Sequence, residues 1–342
     1  MSEEGKADEE KSENIFDPNT FKNDGKTYLI LKKYESYDDN KDVDPEPVVL
    51  DTETEELYLD HARVLTIKNF NVLTKTETLS LRNNLISKIE GISQLSTLTS
   101  LELYDNQITK IENLDSLVNL SILDLSFNRI QVIEGLDRLC NLTQLYLVNN
   151  RIDKIQNLSG LVNLTSLELG DNHIRKIENL DNLTNLTNLY LGKNKINKLE
   201  NLTNLKKLEL LDVQSNRIVK MEGLEELTSL LQLYISHNGI ETIEGLDKNL
   251  LLNTLDVAGN KIKRIENIVH LSNLEEFWAN DNKIDDWHNV QVIEQLKNLT
   301  TIYLERNPVA SDPMYRKKLT LIVPFIQQID ATLVALPSLH NP

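Results

Sequence analysis

Residues 106–128 read NQITKIENLDSLVNLSILDLSFN, and the fold follows from how that stretch is spaced. Asparagine stands at both ends, Asn106 and Asn128, one period of 22 residues apart. Between them Ile108, Ile111, Leu114, Leu117 and Leu120 are apolar at steps of three, and then Leu123 and Leu125 flank Asp124. That last alternation predicts a short strand with both leucines inward and Asp124 outward. The steps of three predict a tight, 3₁₀-like return, because so short a coil leaves hardly any room for a long α-helix.

The register runs outward in both directions. Asn84, Asn106, Asn128, Asn150, Asn172, Asn194, Asn216, Asn238, Asn260 and Asn282 repeat at 22 residues, and Asn307 follows after a step of 25. One period before Asn84 stands Ala62, which predicts an atypical first repeat around Leu57 and Leu59. Such repetition predicts a solenoid in which each coil buries its apolar face only against its neighbours. The expected fold is an α/β solenoid, a leucine-rich-repeat horseshoe of about twelve 22-residue repeats with one parallel sheet of twelve strands on its concave side. Short helical or 3₁₀ turns form the convex side. Each inward asparagine is expected to satisfy backbone groups at the turn, where an unpaired polar group costs about 1–3 kcal/mol.

Three regions follow. Residues 1–50 are acidic and aperiodic and read as largely disordered, with Tyr28-Leu29-Ile30-Leu31 as a candidate docking element. Residues 51–308 carry the repeats, and 309–342 a C-terminal cap and tail. In the cap, Asp312-Pro313 predicts a helix through Tyr315, Arg316 and Leu319 that Val323-Pro324 breaks.

A net charge of −17 argues against nucleic acid or an anionic membrane as partner and favours a basic protein surface. Cys140 is the one cysteine, so no disulfide cap forms within the chain, and beside Leu139 and Leu142 it is expected in the core. The start, Met1-Ser2-Glu3-Glu4, has no secretory pattern, and no run is long enough to span a bilayer, so an intracellular protein is expected. Asn-Leu-Ser/Thr triplets such as Asn141-Leu142-Thr143 read as by-products of the repeat. Catalytic apparatus is missing: His61, His173, His237, His270, His288 and His340 lack metal-ligand spacing, and glycine-rich phosphate loops are absent. No enzyme, cofactor or metal is expected.

The outward strand positions carry the functional signal. The column between the two strand leucines reads Tyr58, Ser80, Glu102, Asp124, Tyr146, Glu168, Tyr190, Asp212, Tyr234, Asp256, Trp278 and Tyr303, and eleven of these twelve are acidic or aromatic. Strand propensity would favour rings there, but it would also admit threonine and valine and would not select aspartate. Glu276 stands in the flanking column on one side, and Arg82, Tyr104, Gly170 and Gly192 in the one on the other; Arg82 is the only base. The two glycines predict a low surface beside Glu168 and Tyr190. Rings beside fixed carboxylates suit a partner presenting arginine and lysine. Twelve strands at about 4.8 Å give a trough roughly 55 Å long, the scale of a folded domain.

Leu101-Glu102-Leu103-Tyr104-Asp105-Asn106, Glu276-Phe277-Trp278-Ala279-Asn280-Asp281-Asn282, Tyr303-Leu304-Glu305-Arg306-Asn307-Pro308 and the cap run Asp312-Pro313-Met314-Tyr315-Arg316-Lys317-Lys318 resemble one family. It is the Sds-twenty-two family, the leucine-rich-repeat regulatory subunits of type-1 serine/threonine protein phosphatase. The resemblance covers residues 55 to 335. It implies a concave face that binds the phosphatase catalytic subunit through Asp124, Glu168, Asp256, Glu276, Trp278 and Tyr303. At two further family contacts, where phenylalanine occurs, this chain has Tyr146 and Tyr190. It also implies nuclear and cytoplasmic residence, mitotic roles, and phosphatase targeting and assembly; a third regulatory protein in the same complex is a further candidate partner. The alternative is a scaffold of the same repeat class, of spliceosomal or axonemal type.

Overall fold

The computed structural model describes residues 20–23, 26–31, 48–68 and 70–334. Its body is a stack of coils in which every strand pairs with the strand one repeat away. Twelve three-residue strands, β4 (Glu56–Tyr58) through β15 (Thr301–Tyr303), run parallel in register, as Leu123 opposite Leu145 and Leu145 opposite Leu167 illustrate. The sheet is longer than the twelve strands expected. β16 (Gln328–Ile329) joins β15 in parallel and β17 (Thr332–Leu333) pairs antiparallel with β16, making fourteen. These two strands lie beyond the 22-residue period, so the repeat pattern does not contain them.

Behind the sheet the chain returns through successive tight turns. Leu117 N–H donates to Leu114 O at 2.9 Å, and Leu120 N–H to Leu117 O at 3.0 Å, each a three-residue closure. The leucines and isoleucines of these turns fill one continuous core, nearly all fully buried. The 25-residue step before Asn307 is taken up by a short helix, α1 (Trp287–Val290), capped by the Asp286 side chain, and a following 3₁₀ turn, Gln291–Gln295.

Each buried asparagine ties two coils together. Asn128 donates through Nδ2 to Leu103 O of the preceding coil at 2.9 Å and to Leu125 O and Ser126 O at 3.1 Å. Its Oδ1 accepts from Ile108 N–H at 2.9 Å. The same set recurs from Asn106 to Asn282, forming a ladder of amides up the stack. Seven residues after each rung from Asn84 to Asn260 the chain turns through positive φ, and only glycine or asparagine stands there. At Gly91 a Cβ would lie 2.3 Å from Ile67 O, whereas Asn113 donates its amide to Ile89 O at 2.7 Å. One backbone turn thus has two solutions, removing the side chain or bonding it to the carbonyl in its way.

The two ends are built differently. In the cap, α2 (Tyr315–Ile322) starts beside Asp312, whose Oδ1 accepts from Met314 N–H, and stops before Val323-Pro324. Asp330 takes over from asparagine in the last coil: its buried Oδ1 accepts from Leu304 N–H and Glu305 N–H, both at 3.0 Å, and from Tyr315 Oη at 3.1 Å. Near the N-terminus, β1 (Thr20–Asn23), β2 (Lys26–Leu31) and β3 (Val48–Asp51) form an antiparallel sheet within the segment read as largely disordered. The Tyr28–Leu31 docking candidate lies inside β2. Composition argued for disorder because it averages over an acidic stretch and weighs the strands lightly. Cys140 departs from its expected place in the core: it is exposed.

Candidate protein-binding trough

The strand register puts the whole central column in one row. Tyr58 stands opposite Ser80, Ser80 opposite Glu102, and so on without a break through Asp256, Trp278 and Tyr303. Each middle residue lies between two fully buried leucines or their equivalents, so it must face out. Glu102, Asp124, Tyr146, Glu168, Tyr190, Asp212, Tyr234, Trp278 and Tyr303 are half-buried, as is Glu276 beside them. Asp256 is buried, Ser80 is buried, and Tyr58 at the open end is 59% exposed.

The aspartates and glutamates of the row behave differently. One oxygen of Asp124, Asp212 and Asp256 accepts the backbone N–H two residues on, from Ser126, Gln214 and Ala258 at 2.9–3.0 Å. The shorter side chain folds back onto its own strand end and leaves one oxygen for other company. Glu102 and Glu168 are too long for that turn. The tyrosine hydroxyls are also tethered: Tyr146 donates to Gln144 at 2.9 Å, and Tyr190 Oη accepts from Asn188 at 3.4 Å. Both partners stand two residues back on the same strand, so the hydroxyls that set these positions apart from phenylalanine are occupied within the chain. Trp278 packs against Tyr303 with ring centroids 5.3 Å apart and the planes tilted by 46°, and the Tyr303 hydroxyl accepts from Gln328 of the cap at 2.6 Å. The indole Nε1 of Trp278 is buried and has no hydrogen-bond partner.

Charge is unevenly matched along the row. Arg82 reaches Glu102 at 3.4 Å and Asp124 at 3.7 Å and lies over the Tyr104 ring, 4.7 Å from its centroid. Farther along, Glu168, Asp212 and Asp256 have no lysine or arginine within ion-pairing distance among the described residues. Burial, and then the neighbouring carboxylates Asp124 and Asp212, push the Glu168 carboxyl up. Burial also raises Asp212, against the opposing hydrogen bonds from Gln214, and raises Asp256, against those from Ala258 and Ser236. The row therefore holds unneutralised negative charge at a cost that an incoming cation would relieve.

Gly170 and Gly192 open the low surface expected of them. With Glu168, Tyr190 and Asp212 they line a hollow of about 260 Å³, and a Cβ on Gly192 would stand 3.3 Å from Asp212 Oδ1. The sequence reading passed over Phe127, which lines the same hollow. Phe127 is 39% exposed, adopts φ 55° and packs on Tyr104 at 4.8 Å between centroids. An aromatic in the left-handed region is unusual, and it is the one benzene ring in the column that precedes the asparagine rungs, His237 being the other ring there. Among the described residues no helix is long and apolar enough to cross a membrane, and no group of three His, Cys, Asp or Glu is arranged to hold a metal ion.

The family profile "Leucine Rich repeats (2 copies)" matches residues 118–160 and 162–207. An internalin, InlF, of Listeria monocytogenes superposes with a TM-score of 0.70 at 26% identity, over 84% of this chain and 91% of its own. The chain is a leucine-rich-repeat solenoid. A leucine-rich-repeat protein of Leptospira interrogans has the same fold, with a TM-score of 0.62 at 24% identity over 75% of this chain and 73% of its own. In sequence, protein phosphatase 1 regulatory subunit 7 of Bos taurus and that of Homo sapiens are each 54% identical to this leucine-rich-repeat chain over 51 residues. That of Danio rerio is 51% identical over 48 residues. The matched segment spans 14% of the length of each of these relatives and 14–15% of this chain. Over this short segment the similarity is to proteins named as regulatory subunits of the phosphatase, consistent with the resemblance to the Sds-twenty-two family.

Proposed function

We propose that this chain is a non-catalytic regulatory subunit that holds the catalytic subunit of type-1 serine/threonine protein phosphatase along its trough. The role is to control that enzyme's assembly, targeting or activity. The observation that carries the reading is the row of half-buried and buried carboxylates between rings, in which Glu168, Asp212 and Asp256 have no lysine or arginine partner among the described residues. Glu102, Asp124, Glu168, Asp212, Asp256 and Glu276 receive lysine and arginine side chains of the enzyme. Tyr146, Tyr190, Tyr234, Trp278 and Tyr303 supply apolar and cation–π contact. The names of the relatives support this choice of partner. The same reading has the complex working in nucleus and cytoplasm.

Titration of purified catalytic subunit with the chain and its variants tests the proposal. Trp278→Ala is expected to weaken binding by about 2–4 kcal/mol, the scale of a buried aromatic anchor. Unchanged affinity in a folded Trp278→Ala chain would overturn the contact assignment. Failure of the unaltered chain to bind would overturn the partner.

A further inference from the structure

Outside the trough, the residue that follows each asparagine rung forms a second row, and its charge is opposite. Arg129, Arg151, Lys195, Arg217, Lys261 and Lys283 occupy six of the eight places from 129 to 283; His173 and Gly239 fill the others. The backbone fixes them in line. Arg129 N–H donates to Ile108 O, Arg151 N–H to Ile130 O, and Lys283 N–H to Ile262 O, each at 2.8 Å, so each coil carries its base one step along the stack. Five of the six side chains are exposed and Lys195 is half-buried. None of the six takes part in an ion pair among the described residues, although the chain has 53 acids for 36 bases. Three residues farther on in their coils, Lys154, Lys176 and Arg264 are exposed and likewise unpaired. The contrast is with Lys88, Lys110, Lys198 and Lys220 in that same position, each of which reaches a glutamate two residues on, at 3.6–4.0 Å.

We propose that this flank, where the chain leaves the sheet, is a second docking surface, for an extended acidic segment of another protein. Ranked bases at regular spacing and without internal partners offer charge-assisted hydrogen bonds along a line. Seven repeat steps separate Arg129 from Lys283; at about 4.8 Å each they cover roughly 34 Å, which about ten extended residues match. The net charge of −17 decides the class of partner. A long polyanion such as nucleic acid extends past the flank into the field of the whole chain and is repelled. A short acidic segment lies within about a Debye length of the bases and feels mainly them.

The probe is a fluorescein-labelled peptide of ten glutamates, added to the full chain at low salt and followed by anisotropy. Saturable binding that weakens as salt is raised is expected. The combined variant Arg129→Gln, Arg151→Gln, Lys195→Gln, Arg217→Gln is expected to lose about tenfold or more in affinity. Arg151→Glu alone moves it in the same direction. Lys206→Gln with Lys248→Gln removes two bases that already pair with Glu226, and leaves peptide binding as it was. Absence of saturable binding, or equal affinity in the combined variant, overturns the proposal. So does tighter binding of a ten-nucleotide single strand of DNA than of the peptide. Phosphatase binding is read separately, because none of these substitutions touches the trough.

Discussion

A carboxamide offers both a donor and an acceptor without charge, and Asn128 uses both between coils. Aspartate has the same shape and no donor. Asn128→Asp is therefore expected to destabilise the chain by about 3–5 kcal/mol, since it sets a carboxylate among three carbonyl oxygens. Equilibrium urea unfolding checks this; a loss below about 1 kcal/mol would mean that the coils stack without the amide. Position within the repeat also explains Cys140. Its neighbours in sequence, Leu139 and Leu142, are buried, but its equivalents one coil away, Val118 and Val162, are each 46% exposed. Reading along the column gives the right answer where reading along the chain does not. The same distinction made Asp124, Glu168 and Trp278 legible as one row, because stacking converts a fixed sequence interval into spatial adjacency. That aspartates fold back onto their own strand ends was not legible, since it depends on side-chain length against local backbone.

The cap shows which elements a period reveals. Asp330 holds two backbone amides of the last coil and the hydroxyl of Tyr315, whose ionisation burial and the adjacent carboxylate push far upward. Tyr315→Phe is expected to cost about 1 kcal/mol and Asp330→Ala about 2–4 kcal/mol, because only the second leaves buried N–H groups unpaired. Thermal unfolding of both variants checks the order, and equal losses would contradict it. The helix α2 was legible from its flanking prolines, Pro313 and Pro324. The two-residue strands β16 and β17 were not, for they carry too few residues to show an alternation and exist only because β15 presents an edge. β1 and β2 were legible in principle, since only Asp24-Gly25 separates them and that dipeptide favours a tight hairpin; β3 was not, because it pairs with β2 across a longer stretch that leaves no interval to find.

At the scale of the molecule, the trough stores electrostatic cost. Glu168, Asp212 and Asp256 have folded-state carboxyls raised above their unfolded range. Ionising them opposes folding, fully so above the raised values, and the penalty disappears as pH falls to the ordinary carboxylate range near about 4. The free chain is therefore expected to lose less stability between pH 7 and about pH 5 than the variant Glu168→Gln, Asp212→Asn, Asp256→Asn, which lacks this relief. Denaturant midpoints at the two pH values measure the difference, and identical pH dependence would refute it. Binding of a basic partner should run the other way and weaken as these acids protonate.

The amide ladder also sets a lifetime. A backbone nitrogen attacks the preceding asparagine side chain most readily when it belongs to glycine, and Asn238 alone among the rungs is followed by one, Gly239. In the closed stack its amide is held by Val213, Ile235, Ser236 and Ile218, so attack must wait until that coil opens. A Cβ at Gly239 would stand 3.1 Å from Cγ1 of the exposed Val219, so a larger residue there requires that side chain to shift by a few tenths of an ångström. Deamidation would leave a carboxylate where a donor is required, and the coil would not close again as before. The chain thus carries a chemical clock in one central repeat, one that advances only while that repeat is open.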